Sequence, residues 1–547
     1  MRRFSRDCGI WGSCGPRASC PCNVHLLNCR ARRPFDSIVP TLSTESKWFA
    51  YVALNVVFCV VLLVGAAAGG GSLARLPYVA IMFALCSSPI PFIDRLNGSY
   101  AILGVAMMIY FMEFALLDAA HMFSPPKAVE PGGLIPGEGL LIIGAFVKIL
   151  GFHVAVRLWN TRNHAQTPED WPPRLLIPAG MLLWVAGCAA TMYQSLVLVV
   201  DNTDATTTAG FTKLGVWGTS GMLLIGNYAG PLGIIIMAYW WTVWSRRAGT
   251  ALVLFVIFAQ FVVGFLVDQK ETALNAAVVM LLTRFIIQGK VPIRWLAGCV
   301  IGIALVFPVL TAKRLIMTEG LHLTRAQAVS RTLEILERAI AERNVAREGK
   351  KYEQSSQTFL ERVTDKGAVE LFAAHVGVDQ PYKMGSTLEQ LLYIFAPRVI
   401  WSEKPGGNSA QTFNRDFHLS EDPDTHISPT HIGELYWNFG LAGVIAGMAL
   451  LGALLGYVTS KFNSSEGTSL TRVLVIMVTL YEIVLRGGGQ IEIEYVVWGR
   501  TLVLIGILHL LLARPSAGRP VLTSAPSDGL TTGSPTPALV RFPNLLR

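Results

Sequence analysis

Charge is scarce in this chain. Only 15% of its 547 residues are Asp, Glu, Lys or Arg, against 52% hydrophobic residues. A soluble fold of that length needs a far more polar surface, so the composition excludes one and points to a polytopic membrane protein. Catalytic signatures are also missing. The sequence holds no Walker A motif, which argues against direct use of ATP, and no Gly-x-Ser-x-Gly elbow, which argues against a serine hydrolase. It holds no His-Glu-x-x-His, no Cys–His cluster and no carboxylate-rich loop, so neither a metal nor another cofactor is expected.

A nucleic-acid footprint is not expected either, although the net charge is +9. The basic residues gather in the N-terminal tail and in short loops on one side, the pattern of the positive-inside rule. Five of the nine cysteines (Cys8, Cys14, Cys20, Cys22 and Cys29) fall in that tail, at spacings that do not make paired Cys-x-x-Cys knuckles. With its arginines, the tail reads as cytoplasmic and disordered, or as the product of a start placed too far upstream, rather than as a metal site. No cleavable leader is expected, because the first apolar run begins near Trp48 and is long enough to span.

What is present is a series of apolar runs. They predict about twelve spans, near 48–69, 76–93, 99–120, 138–158, 175–200, 214–241, 250–267, 272–288, 293–310, 432–458, 469–485 and 494–513. The run at 214–241 is overlong and contains Gly226, Gly230, Pro231 and Gly233, so a break is expected there. Arg95, Arg157, Arg162, Arg174, Arg246, Arg247, Arg284 and Lys290 then lie in inner loops, against Arg75, Lys127, Lys213, Lys270 and Arg486 outside. That asymmetry places both termini in the cytoplasm. The expected organisation is a tail (1–47), nine spans (48–310), an extracytoplasmic helical cap loop (311–431), three spans (432–513) and a disordered tail (514–547). Within the cap, helices are expected over 323–343, where Thr324 and Gln327 have capping-box spacing, over 356–377, and from Ser386 to just before Pro397.

Polar residues collect on the outer rim. Glu113 and Lys148, inside spans, read more simply as a pair binding helices together than as catalysts. The stretch RGGGQIEIE (486–494) offers Arg486 and Gln490 beside glycine amides suited to a phosphate, although a tight turn explains the glycines as well. Arg500 lies about two turns into the last span. The strongest stretch is 396–417, APRVIWSEKPGGNSAQTFNRDF, with Arg398, Trp401, Lys404 and Arg415. Cations suit a diphosphate, and Trp401 and Trp437 suit the faces of sugars. His418, His426 and His431 follow, and His431 stands three residues before Glu434, on one helical face. A neutral imidazole there can take a proton from a hydroxyl, with a carboxylate to orient it. The plainer reading is that these groups only cap a helix at the headgroups.

The run PRVIWSEKP, followed by a polar loop and HIGELYWNFGLAGVIAG, resembles the signature of bacterial oligosaccharide repeat-unit polymerases, the Wzy-type O-antigen polymerases, which are related to the O-antigen ligases. The likeness is sharpest over 396–444 and extends loosely over 50–513. It implies an all-α, GT-C-like membrane glycosyltransferase of the bacterial inner membrane with its active face in the periplasm. It implies transfer of glycan from undecaprenyl diphosphate onto a fresh lipid-linked repeat unit, building O-antigen, exopolysaccharide or capsule without nucleotide sugar or metal. Arg398 and Lys404 would then meet the leaving diphosphate, His431 and Glu434 would activate the acceptor, and Trp401, Arg415, Arg486, Gln490 and Arg500 would complete substrate binding. The lipid bilayer, a chain-length regulator and a flippase are the implied partners. Two rival readings stand beside this one: a ligase of the same chemistry, and a transporter or flippase of lipid-linked sugars.

Overall fold

The computed structural model describes residues 44–69, 73–92, 99–123, 136–159, 171–193, 228–244, 247–267, 270–288, 294–298, 302, 334, 337, 366–393, 401, 409–420, 427–462, 469–485 and 489–512. Among these residues the chain is helical and has no strand; one isolated bridge joins Val376 to Gln380. The first half supplies α1 (Thr44–Gly69), α2 (Leu76–Ser87), α3 (Ser99–Phe114), α4 (Leu116–His121), α5 (Pro136–Trp159) and α6 (Pro173–Tyr193). Then come α7 (Gly230–Val243), α8 (Arg247–Leu266), α9 (Lys270–Gln288), α10 (Lys366–His375) and α11 (Ser409–Phe417). The last are α12 (His431–Phe462), α13 (Leu470–Thr479) and α14 (Ile491–Leu512), with a π-helical stretch at Leu480–Val484 that widens the end of α13.

Among the described residues, six helical segments are long and apolar enough to cross a membrane: Glu45–Ala68, Pro136–Trp159, Pro173–Tyr193, Gly249–Leu266, His431–Phe462 and Ile491–Leu512. Their outward faces are apolar, with Val56, Val60 and Val64 of α1, Leu182 of α6, Phe258 of α8 and Leu510 of α14 all exposed. Such faces suit lipid rather than water. The described parts of the apolar runs read from the sequence are helical, although the run at 99–120 is divided at Ala115 into α3 and α4.

Small residues let the central helices touch. A Cβ on Gly452 would overlap the Lys148 carbonyl oxygen, and one on Gly151 the Ala449 carbonyl, so α5 and α12 are in backbone contact. Gly452 and Gly456 form the small-xxx-small pattern that permits this approach. Gly180 and Gly187 of α6 meet Gly233 and Gly230 of α7 in the same way.

α12 is not one rod. Gly440 has φ 62° and ψ −152°, a conformation open essentially to glycine alone. The chain turns back there. The Leu435 carbonyl lies where a Cβ on Gly443 would go, and the Leu435 side chain where one on Gly447 would go. The arm His431–Phe439 therefore packs alongside the start of the 441–462 arm. Breaking a helix frees backbone acceptors. The loop 383–385 takes them: Lys383 N–H donates to the Trp437 carbonyl at 2.9 Å and Met384 N–H to the Asn438 carbonyl at 3.1 Å. Asn438 Oδ1 accepts the Gly385 N–H at 2.9 Å. The break expected at 214–241 does not appear in α7, and 214–227 lie outside the described residues.

The cap elements have a core of their own. Phe372 of α10 stacks on Phe413 of α11 at 4.5 Å between centroids, and Trp437 packs against both. Trp437 is fully buried, so it cannot stack on a sugar as the sequence reading had it. Ser386–Tyr393 is a 3₁₀ helix, not the expected α-helix, closing i→i+3 bonds such as Leu388 N–H to the Gly385 carbonyl at 3.0 Å and packing on α14. Of the helix expected over 356–377, residues 366–377 are described and Lys366–His375 is helical; of that over 323–343 only Glu334 and Glu337 are described, both helical.

An ionic cluster fastens α10 to the bundle. Lys366 Nζ donates to Asp118 Oδ2 at 2.7 Å, Glu138 Oε1 at 2.8 Å and Glu370 Oε1 at 3.1 Å, and Arg75 donates to the same Glu138 oxygen at 2.8 Å. Burial alone would favour the neutral amine, but Asp118, Glu138 and Glu370 outweigh it and hold the Lys366 pKa above the usual lysine range. The stabilisation is complete at neutral pH and is lost only as pH rises through that elevated value. Lys366→Met strands buried carboxylates and is expected to destabilise the docked cap by about 3–5 kcal/mol. Thermal unfolding of the purified protein, with protease cleavage around 366–393, checks this; an unchanged midpoint would mean the cluster does not fasten the cap.

Candidate functional site

Three helices begin at one place. α12 starts at His431, preceded by Thr430, whose φ of 61° is strained for a β-branched residue. Thr430 Oγ1 accepts the Gly433 N–H at 3.1 Å and caps the arm. At the start of α14, the Ile491 N–H donates to Glu434 Oε2 at 2.9 Å. At the start of α11, the Ser409 N–H donates to Glu492 Oε1 at 3.2 Å. Each carboxylate thus satisfies the orphan donor of a neighbouring helix and faces the positive end of its dipole.

His431 and Glu494 are the closest pair. His431 Nε2 and Glu494 Oε2 are 2.6 Å apart, with both side chains buried. Sequence reasoning expected Glu434, three residues on, to orient the ring; the side chain in contact with it is Glu494 of α14. Both side chains reach the start of α14, His431 at Glu494 and Glu434 at the Ile491 amide, one turn apart. Thr387 and Ser409 hydroxyls lie beside Glu434, yet Glu434 Oε1 makes no hydrogen bond, and neither do the buried Ser409 Oγ and Gln490 Oε1. Three polar atoms with hydrogen-bonding capacity to spare therefore lie where α11, α12 and α14 begin.

The other expected site residues divide. Gln490 stands at the junction, immediately before α14. Arg415 is exposed in the last turn of α11, about 9 Å of helix rise from Ser409. Arg500 is half-buried, about 9 Å along α14 from Glu494. Trp401 is exposed, its ring edge-to-face with Tyr393 at 4.9 Å. Arg398, Lys404 and Arg486 lie outside the described residues, as does His426; His418 is exposed with φ 50°. The two stretches singled out separately, around KPGG and RGGG, nevertheless lead into α11 and α14, whose first turns meet at this junction. Ser409 was missed, and Glu492 and Glu494 entered only as part of RGGGQIEIE, without a role of their own. The signal available was the doublet Glu492–Glu494 in the first turn of a helix, where acids are favoured.

Residues 232–515 match the family described as Domain of unknown function (DUF8712), and that is more than half of the chain. The chain belongs to this family. The DUF8712 match runs from α7 to just past α14 and contains the whole three-helix junction, whereas α1–α6 precede it. No curated protein and no solved structure matches the chain.

Proposed function

We propose that this chain is a membrane glycosyltransferase that polymerises undecaprenyl-diphosphate-linked oligosaccharide repeat units. One observation carries the reading: a buried His431–Glu494 pair stands at the head of a broken helix, at a junction that holds spare acceptor atoms and between two segments that follow basic, glycine-rich sequence. In this mechanism His431 takes the proton of the acceptor sugar hydroxyl while Glu494 holds the ring and stabilises the imidazolium. The hydroxyl oxygen attacks the sugar carbon bonded to the diphosphate, which leaves with its electron pair. Arg398, Lys404 and Arg486 supply positive charge where that negative charge develops. Trp401, exposed on the cap, stacks on a sugar ring. The proposal includes the twelve-span GT-C-like architecture, both termini in the cytoplasm and a periplasmic active face in the inner membrane, with a chain-length regulator and a flippase as working partners.

A second reading, transport of a lipid-linked sugar, is favoured by the charged residues inside the bundle, since Glu113, Lys148 and His431 line one cavity. A gel of surface glycan from a strain lacking the gene separates the readings. A ladder collapsed to one repeat unit per acceptor is the expected result. Complete loss from the acceptor with long chains still on the lipid carrier means a ligase, and an unchanged ladder overturns the polymerase reading.

A further inference from the structure

Glu113 of α3 and Lys148 of α5 share a cavity of about 10 Å³ with His431, walled otherwise by Tyr110 and by apolar groups including Ala106 and Met448. That volume holds roughly one water, and a cavity with several polar walls favours one. The Tyr110 hydroxyl donates to the Leu141 carbonyl at 2.8 Å, leaving its oxygen free to accept, and Lys148 lies 5.4 Å over the Tyr110 ring. His431 therefore has Glu494 in direct contact and shares the wall of a water-sized cavity with Glu113 and Lys148.

We infer that Glu113 exchanges a proton with His431 through a single water in this cavity, so that Glu113, His431 and Glu494 form a relay across α3, α12 and α14. The use of the relay rests on the glycosyltransferase reading; its existence does not. The proton given up by the attacking hydroxyl goes to His431, and the electron pair stays on the oxygen that forms the new glycosidic bond. With Nε2 held by Glu494, Nδ1 takes the hydroxyl proton and, once the new glycoside has moved off, passes it to the water, which passes one to the Glu113 carboxylate, so charge and protons balance without another reactant. Glu113 acts through His431 and is a positioning residue rather than a catalytic one. The groups facing His431 and this cavity are Tyr110 and Glu113 of α3, Lys148 of α5, and Glu494 and Tyr495 of α14; Glu434 is on its own arm, and Cys86 of α2 faces Lys148.

The test uses the full chain in detergent micelles with ¹⁵N-labelled histidine, the His431 signal being assigned by its loss in His431→Gln. Glu113→Gln and Lys148→Gln are expected to displace the His431 titration by about one pH unit or more in opposite senses, since one removes a negative and the other a positive charge. Ala106→Val fills the cavity without touching a titratable group, and it is expected to lower the rate of glycan assembly about tenfold or more and to alter its pH profile. A His431 titration unchanged in Glu113→Gln, or a wild-type pH profile in folded Ala106→Val, overturns the relay. A displaced titration in a protein whose deletion leaves the glycan ladder unchanged keeps the coupling of Glu113 to His431 and removes the glycosyltransferase reading.

Discussion

His431→Gln is expected to lower polymer formation by about 10²–10⁴-fold, the usual worth of a general base, while the protein still inserts and folds. Glutamine keeps a polar group at the head of the arm but cannot accept and hold a proton. Glu494→Gln should follow it closely, because the 2.6 Å contact is what fixes the imidazole and offsets its charge once protonated. Glu434→Gln should behave differently. A glutamine carbonyl still accepts the Ile491 N–H, so the cap of α14 survives and activity falls by no more than about tenfold. Removing the acceptor altogether, in Glu434→Ala, orphans a buried N–H and is expected to cost about 1–3 kcal/mol of stability. Polymer synthesis in washed membranes from each variant, set against protein level, gives this order. Equal loss in Glu434→Gln and His431→Gln would move Glu434 from capping into the chemistry.

The helical class was legible because composition and long apolar runs decide it: too little charge for a soluble surface, and runs such as 138–158 that need a bundle or a bilayer. The place of His431 at the head of a helix was legible as well, since it opens an apolar segment behind a polar loop. The choice of its partner was not. An i, i+3 spacing places Glu434 on the same face of the arm, and both side chains reach the start of α14, but only the packing of that helix decides which carboxylate meets the ring. The break in α12 escaped for a related reason. Gly440 is one of several glycines in LAGVIAGMALLG and its surroundings, most of them serving close helix contact, and a lone glycine gives no sign of a reversed φ. The glycine-and-proline cluster at 226–233 looked the better candidate. Glu113 and Lys148 were read correctly as interior charges, but their placement beside His431 depends on the arm folding back by about nine residues, which no local pattern encodes.

Gly452→Val is expected to have the largest structural effect in the molecule. A Cβ there meets the Lys148 carbonyl oxygen, a backbone atom that cannot swing aside, so α5 and α12 must separate. Overpacking of this kind costs about 1–3 kcal/mol where side chains can yield, and more where two backbones collide. The separation also acts at a distance from the chemistry. Lys148 carries one wall of the His431 cavity, and Gly144, on the same helix, abuts Ile432 at the head of the arm. Pushing α5 outward therefore unseats the residues next to His431 even in molecules that remain folded. Gly506→Ala on α14 supplies the control, since a Cβ there has nothing within 4 Å. The yield of monodisperse protein in detergent and its thermal midpoint check the pair: Gly452→Val should fall well below wild type, and Gly506→Ala should match it. Wild-type yield, midpoint and activity in Gly452→Val would mean that α5 and α12 do not cross at these carbonyls, and the junction at His431 would have to be assembled in another way.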